Sequence, residues 1–144
     1  MAEARTRRVP ERDIRPLEIW AWAMYDFANS GYTTVVLTAI FNAYFVAVVA
    51  GGAPWATFAW TAALSVSYAL VIVTAPVIGA YADLRANKKR LLRLTTAGCV
   101  LGTAALALVG PGDLAIAVVC VVISNFFFCT GCDLVAAFLP ELAR

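Results

Sequence analysis

The sequence predicts an all-α protein, a polytopic membrane helical bundle with four transmembrane helices. Three observations carry that prediction. The chain is 62% hydrophobic and 14% charged, with a mean hydropathy of +0.82, against roughly 45–50% apolar and about 25% charged usage in soluble domains. The charges are also confined: 27–82, 94–112 and 114–132 contain no Asp, Glu, Lys or Arg. At about 20 residues per crossing, the first stretch is long enough for two helices and the others for one each. Finally, all 11 Lys and Arg residues fall before residue 16, between 85 and 93, or at Arg144. Four crossings bring these three places to one side, so the positive-inside rule predicts a multi-pass protein of the cell membrane with both termini cytoplasmic.

Residues 1–15 hold Arg5, Arg7, Arg8, Arg12 and Arg15 among acids, with Pro10 interrupting them, and have nothing apolar to bury. A mobile tail is expected, followed by a membrane segment over 16–144. Pro16 suits a first helical position, and Trp20, Trp22, Tyr25 and Phe27 suit a headgroup boundary. The first crossing is expected at about 26–50. It carries Asp26, Ser30, Thr34, Thr38 and Asn42 at every fourth position, with Asn29 and Thr33 beside them. At ~1.5 Å per residue that polar ridge runs ~24 Å along the helix. Because unsatisfied polar groups are costly in hydrocarbon, the ridge is expected to face protein or water.

Gly51-Gly52-Ala53-Pro54 reads as a turn, and Trp55 and Trp60 as anchors at the opposite interface. The second crossing, about 57–79, contains Pro76, which removes a backbone donor. The third, about 91–109, carries Gly98 and Gly102, a small-residue pair that admits a close neighbour, and Arg93 near enough to its start to snorkel. Gly110-Pro111-Gly112-Asp113 is a second turn. The fourth crossing, about 114–138, stops before Pro140.

Between the second and third crossings stands a short charged stretch, with Gly79, Asp83, Arg85, Lys88, Lys89 and Arg90 in fixed order. Gly79 permits a close helix approach. Asp83 can accept from a base or a helix amino end, and the four bases can meet lipid phosphate or carboxylates. The spacing Gly79-x-x-x-Asp83 followed by bases resembles the loop between the second and third helices of the major facilitator superfamily. Trp22-Ala23-Met24-Tyr25-Asp26-Phe27-Ala28-Asn29-Ser30 and Ala137-Phe138-Leu139-Pro140-Glu141-Leu142-Ala143 narrow the resemblance to its vacuole-effluxer-like branch. Eukaryotic members of that branch are autophagy-related vacuolar amino-acid exporters. The resemblance covers about 17–144 and departs from the loop pattern at Leu84, Ala86 and Asn87.

The resemblance implies a gate: a base of the loop, here Lys88 or Arg85, pairs with an acid of the fourth helix, here Asp133, while Asp83 meets a helix of the second half. It also implies about twelve helices in two halves around a substrate cavity. The chain is therefore expected to be the amino-terminal part of such a transporter or a truncated product. Its partners would be the lipid bilayer, a small-molecule solute, and the remaining transporter helices or a second copy.

Asp26 could carry a coupling proton or bind a cationic group; it could equally cap or be solvated at the boundary. Asn29, Thr33, Asn42 and Asn125 could bond a solute or bond between helices. The chain has no histidine, which disfavours most hydrolase mechanisms, and shows no nucleophile paired with a base. An enzyme, a cofactor and a nucleic-acid partner are therefore not expected. Cys129-Thr130-Gly131-Cys132 is read as packing, with no metal or redox role. The function expected is secondary transport of a small solute, amino acids included, by alternating access. The rivals are a four-helix dimeric exporter of the small multidrug type, built around Asp26, and a non-transporting membrane interaction protein.

Overall fold

The computed structural model describes residues 16–84 and 88–137, and within them not the side chains of Glu18, Asp83 and Leu84. The expected tail, Arg85, and the stop at Pro140 lie outside the described residues. The described residues are helical apart from the turns, in four legs. The first comprises α1 (Pro16–Tyr32), a π-helical stretch (Thr33–Ala39), α2 (Ile40–Tyr44) and a second π-helical stretch (Phe45–Val49). The other legs are α3 (Ala56–Leu84), α4 (Lys88–Leu106) and α5 (Leu114–Ala136).

Both expected turns form, and glycine is what closes them. Gly51 and Gly52 have φ of +60° and +69°, the left-handed region that costs glycine little. That geometry lets the Gly52 amide reach back to the Val46 carbonyl at 2.9 Å and satisfy a carbonyl orphaned at the helix end. In the second turn the Asp113 carboxylate accepts from the Gly110 amide at 3.2 Å, and the Gly112 amide donates to the Val49 carbonyl at 3.2 Å. The two turns are thereby tied together at one end of the bundle, called here the turn end; the charged stretch marks the other, the basic end.

α5 is the central helix, packed along α4 on one side and α3 on the other. Small residues allow this. A Cβ on Gly102 would stand 3.0 Å from the Ser124 Cα, and one on Gly98 would stand 2.7 Å from the Phe127 ring, so the two glycines of α4 bring its backbone onto α5. With lipid tails as apolar as the side chains, such close packing and interhelical hydrogen bonds are what hold membrane helices together. The apolar core lies toward the turn end, where Val36, Phe45, Val49, Trp60, Leu106, Val109, Ala117 and Val121 are buried together.

Among the described residues, three helices are long and apolar enough to cross a membrane: Ile19–Val49, Ala56–Ala82 and Leu114–Ala136. The expected third crossing differs because its helix begins at Lys88 and takes in Lys88, Lys89, Arg90 and Arg93. It nonetheless packs along α5, with buried Thr95 near Gly131 at one end and buried Leu106 in the apolar core at the other. α3 runs past the expected limit at Gly79 to Leu84, with Pro76 inside it.

The π-helical stretches change the register of the first leg. Val36 is the buried position within the first stretch, on one side with half-buried Tyr25, Asn29 and Tyr32, and Phe45 and Val49 are the buried positions after it, with half-buried Phe41 on their side. At about 100° per residue an unbroken α-helix would place Phe41 and Phe45 roughly half a turn from Tyr32 and Val36. Bonding from i to i+5 adds a residue to the turn and rotates the chain back. Ile40, which the plain register would bring inward, is 64% exposed, while Phe45 is 0% exposed.

Candidate functional site

Single polar residues within apolar helices find one another across the bundle. The hydroxyls of Tyr32 and Ser124 lie 2.9 Å apart, and those of Thr103 and Ser124 3.0 Å. Tyr32 also stacks on Phe128, with ring centroids 4.4 Å apart. One step away, the Asn125 carboxamide donates to the Ser67 hydroxyl at 3.1 Å, which donates to the Val122 carbonyl at 3.2 Å. These bonds join the first leg, α3, α4 and α5 at one level.

Asn125 is fully buried and accepts from the Cys129 thiol at 3.9 Å. Of the two roles open to it, bonding a solute or bonding between helices, its amide makes the second here, holding α3 on α5. Asn29 is half-buried and donates to the Cys132 sulfur at 3.3 Å, fastening the first leg to α5. None of the four cysteines is disulfide-bonded.

The polar ridge of the first leg divides. Asn29 turns toward α5, but Asp26, Ser30, Thr33, Thr34 and Thr38 are exposed, away from the packed helices. The ridge is expected to face protein or water, and packing among the described residues leaves this side open. The Ser30, Thr33 and Thr34 hydroxyls donate to the carbonyls of Asp26, Asn29 and Ser30 at 3.2, 3.2 and 3.0 Å. Thr38 donates to the Thr33 carbonyl at 2.9 Å, five residues back. Hydroxyls bonded to their own helix need no outside partner. Asn42 differs: it is half-buried, and among the described residues its carboxamide has no hydrogen-bond partner.

At the basic end a small open cleft of about 80 Å³ lies among α3, α4 and α5. Gly79, Lys88, Thr130 and Asp133 line it together with Ala75, Ile78, Ala82, Leu134 and Ala137. Three residues singled out from the sequence, Gly79, Lys88 and Asp133, are thus brought to one place, with apolar walls between the charges. Lys89 and Arg90 are exposed at the start of α4, whose first turn has no acid. Asp83 is in the last turn of α3, and its side chain, like Arg85, lies outside the description. Among the described residues Gly79 makes no close approach: a Cβ there would meet nothing within 4 Å, and the residue borders the cleft. The close approaches belong to Gly98, Gly102 and Gly131, where a Cβ would come within 2.8 Å of the Tyr25 hydroxyl oxygen.

Sequence reasoning missed the bonds of Tyr32, Ser67, Thr103 and Ser124. Their signal was their position, because antiparallel crossings bring the lone polar residues of mid-span to one depth.

A 92-residue stretch, 62% of the chain, is 29% identical to the uncharacterized MFS-type transporter YxiO of Bacillus subtilis (strain 168). The matched stretch amounts to 22% of that relative's length. No solved structure matches. The family described as vacuole effluxer Atg22 like matches residues 46–144, which include α3, the charged stretch, α4 and α5. The chain is a multi-pass membrane protein that belongs to the vacuole effluxer Atg22-like family.

Proposed function

We propose that this chain forms part of a secondary transporter in the cell membrane, moving a small solute, amino acids by chemical class, by alternating access. α3, α4 and α5 are the rigid part, fastened by close glycine contacts and buried polar bonds. The first leg supplies the wall of the path. The observation that supports this is its open polar side: packing within the four legs uses Asn29 and Tyr32 but leaves Asp26, Ser30, Thr33, Thr34 and Thr38 uncovered. Further helices, or a second copy, would stand opposite that side and enclose the solute between them. The family assignment favours the helices of a larger transporter over the small multidrug arrangement.

In this reading the cleft at the basic end is a conformational latch. Lys88 and Asp133 mark its polar rim, and Asp83, Arg85, Lys89 and Arg90 belong to the same latch on the cytoplasmic side, where both termini lie. Asn42 is the residue best able to bond the solute, since its carboxamide is not committed elsewhere among the described residues.

Counterflow of a panel of radiolabelled amino acids, measured in proteoliposomes of the protein from its whole reading frame, tests the proposal. Asn42→Ala is expected to raise KM about five-fold or more, as the loss of a hydrogen bond to solute does. Asp133→Asn is expected to lower the maximal rate with KM little changed. Wild-type kinetics in both variants would remove these assignments, and no counterflow of any amino acid by the wild type would remove the solute class.

A further inference from the structure

The first leg is held at two places and loose between them. Toward the basic end Asn29 bonds Cys132, Tyr32 meets Ser124, and the Tyr32 ring stacks on Phe128. Toward the turn end Phe41 and Phe45 pack against Trp60, with centroids 6.0 and 5.3 Å away. There the Tyr44 hydroxyl also donates to the Val109 carbonyl at 3.0 Å. The π-helical stretch Thr33–Ala39 lies between these blocks, and only Val36 in it is buried.

That stretch contains three exposed hydroxyls. Thr33, Thr34 and Thr38 donate to carbonyls four, four and five residues back. A carbonyl released when a backbone bond shifts between i+4 and i+5 therefore has a hydroxyl close by. In a membrane helix, such hydroxyls re-satisfy backbone groups that an irregular turn sets free.

We infer that Thr33–Ala39 is a register joint, about which the turn-end half of the first leg rotates while its basic-end half stays fixed on α5. With the π turn in place, Phe41, Phe45 and Val49 pack toward Trp60 and the core. When the turn relaxes to a plain α-helix, the outer half rotates by about 100°, one residue's worth. Ile40, Tyr44 and Val48 then come to the places of Phe41, Phe45 and Val49, and Asn42 moves with them. Phe45 then leaves Trp60 and the Tyr44 hydroxyl leaves the Val109 carbonyl, so the turn end of the path loosens. That consequence rests on the transport reading; the rotation itself does not.

The test is a distance measurement by double electron–electron resonance in liposomes. Nitroxides are placed at Ala47→Cys, on the rotating half, and at Ala115→Cys, at the start of α5; the four native cysteines are replaced by serine. Both sites are exposed. Two distance populations are expected, collapsing to one when Ala39 is deleted, since the deletion removes the extra residue the π turn accommodates. Thr38→Val keeps the chain length and shape, removes the hydroxyl that serves the Thr33 carbonyl, and is expected to shift the population ratio about three-fold, the worth of an average hydrogen bond between membrane residues. A single distance in the unaltered joint, two populations that survive the deletion, or an unchanged ratio in Thr38→Val would overturn the joint. Two populations that respond to both changes, in a protein that moves no amino acid, would uphold the joint and sink the transport reading alone.

Discussion

Phe45→Ala should destabilise the protein by about 2–3 kcal/mol, less than the 3–5 kcal/mol of a soluble core. The transfer part of the usual cost is small when the alternative surroundings are lipid. The cavity remains, because Phe45 is fully buried and packs on Trp60, and the lost contacts are not replaced. Ile40→Ala is the matched control. Ile40 is the residue a straight helix would bury, but it lies on the open side, so its truncation should change stability by less than about 0.5 kcal/mol. Reversible unfolding in mixed micelles measures both. Equal effects, or a larger one at Ile40, would mean the π-helical register is not the one the protein uses.

Gly102→Leu should be nearly as damaging, at about 2 kcal/mol or more. The first atom of the new side chain would stand 3.0 Å from the Ser124 Cα and 3.2 Å from its amide nitrogen, and backbone cannot swing aside. α4 would have to move off α5, and the Thr103–Ser124 contact would go with it. Leucine's better helix propensity, roughly 0.8–1 kcal/mol over glycine, is too small to compensate. Gly79→Leu makes the comparison, because a Cβ there meets no described atom within 4 Å and the residue lines the open cleft. It should leave stability unchanged or slightly raised. Thermal unfolding of the two variants side by side, with Gly102→Leu losing Tm and Gly79→Leu keeping it, is the expected outcome; similar losses at both would contradict the packing.

These pairs show what was legible in the sequence. The legs, the turns at Gly51 and Gly110, and the close approach at Gly98 and Gly102 could be read because charge, helix length and glycine each leave a mark that survives tertiary packing. The register of the first leg could not. Counting periods assumes about 3.6 residues per turn throughout, and the π turn is an exception made to bring Phe41 and Phe45 onto Trp60, a partner that sequence spacing does not name.

The polar ridge was visible but its energetics were not. Ser30, Thr34 and Thr38 looked costly to expose because their hydroxyls were counted as unsatisfied, whereas each is bonded to a carbonyl of its own helix. The surroundings of Gly79 and Asn125 were hidden for a related reason. The spacing before Asp83 suggested close contact at Gly79, and a polar residue in an apolar helix suggested a solute ligand at Asn125. Only the crossing of α3 over α5 decides that Asn125 meets Ser67 and that Gly79 meets open space.

The most direct measurement takes single cysteines at Ser30, Thr34 and Thr38 in the membrane-embedded protein, with the native cysteines replaced. A charged, water-borne methanethiosulfonate is expected to modify all three, and transported solute to slow the reaction at Thr34 and Thr38. Cysteines inert to that reagent, yet quenched by a lipid-phase spin label, would place this side of the first leg against acyl chains and contradict the path.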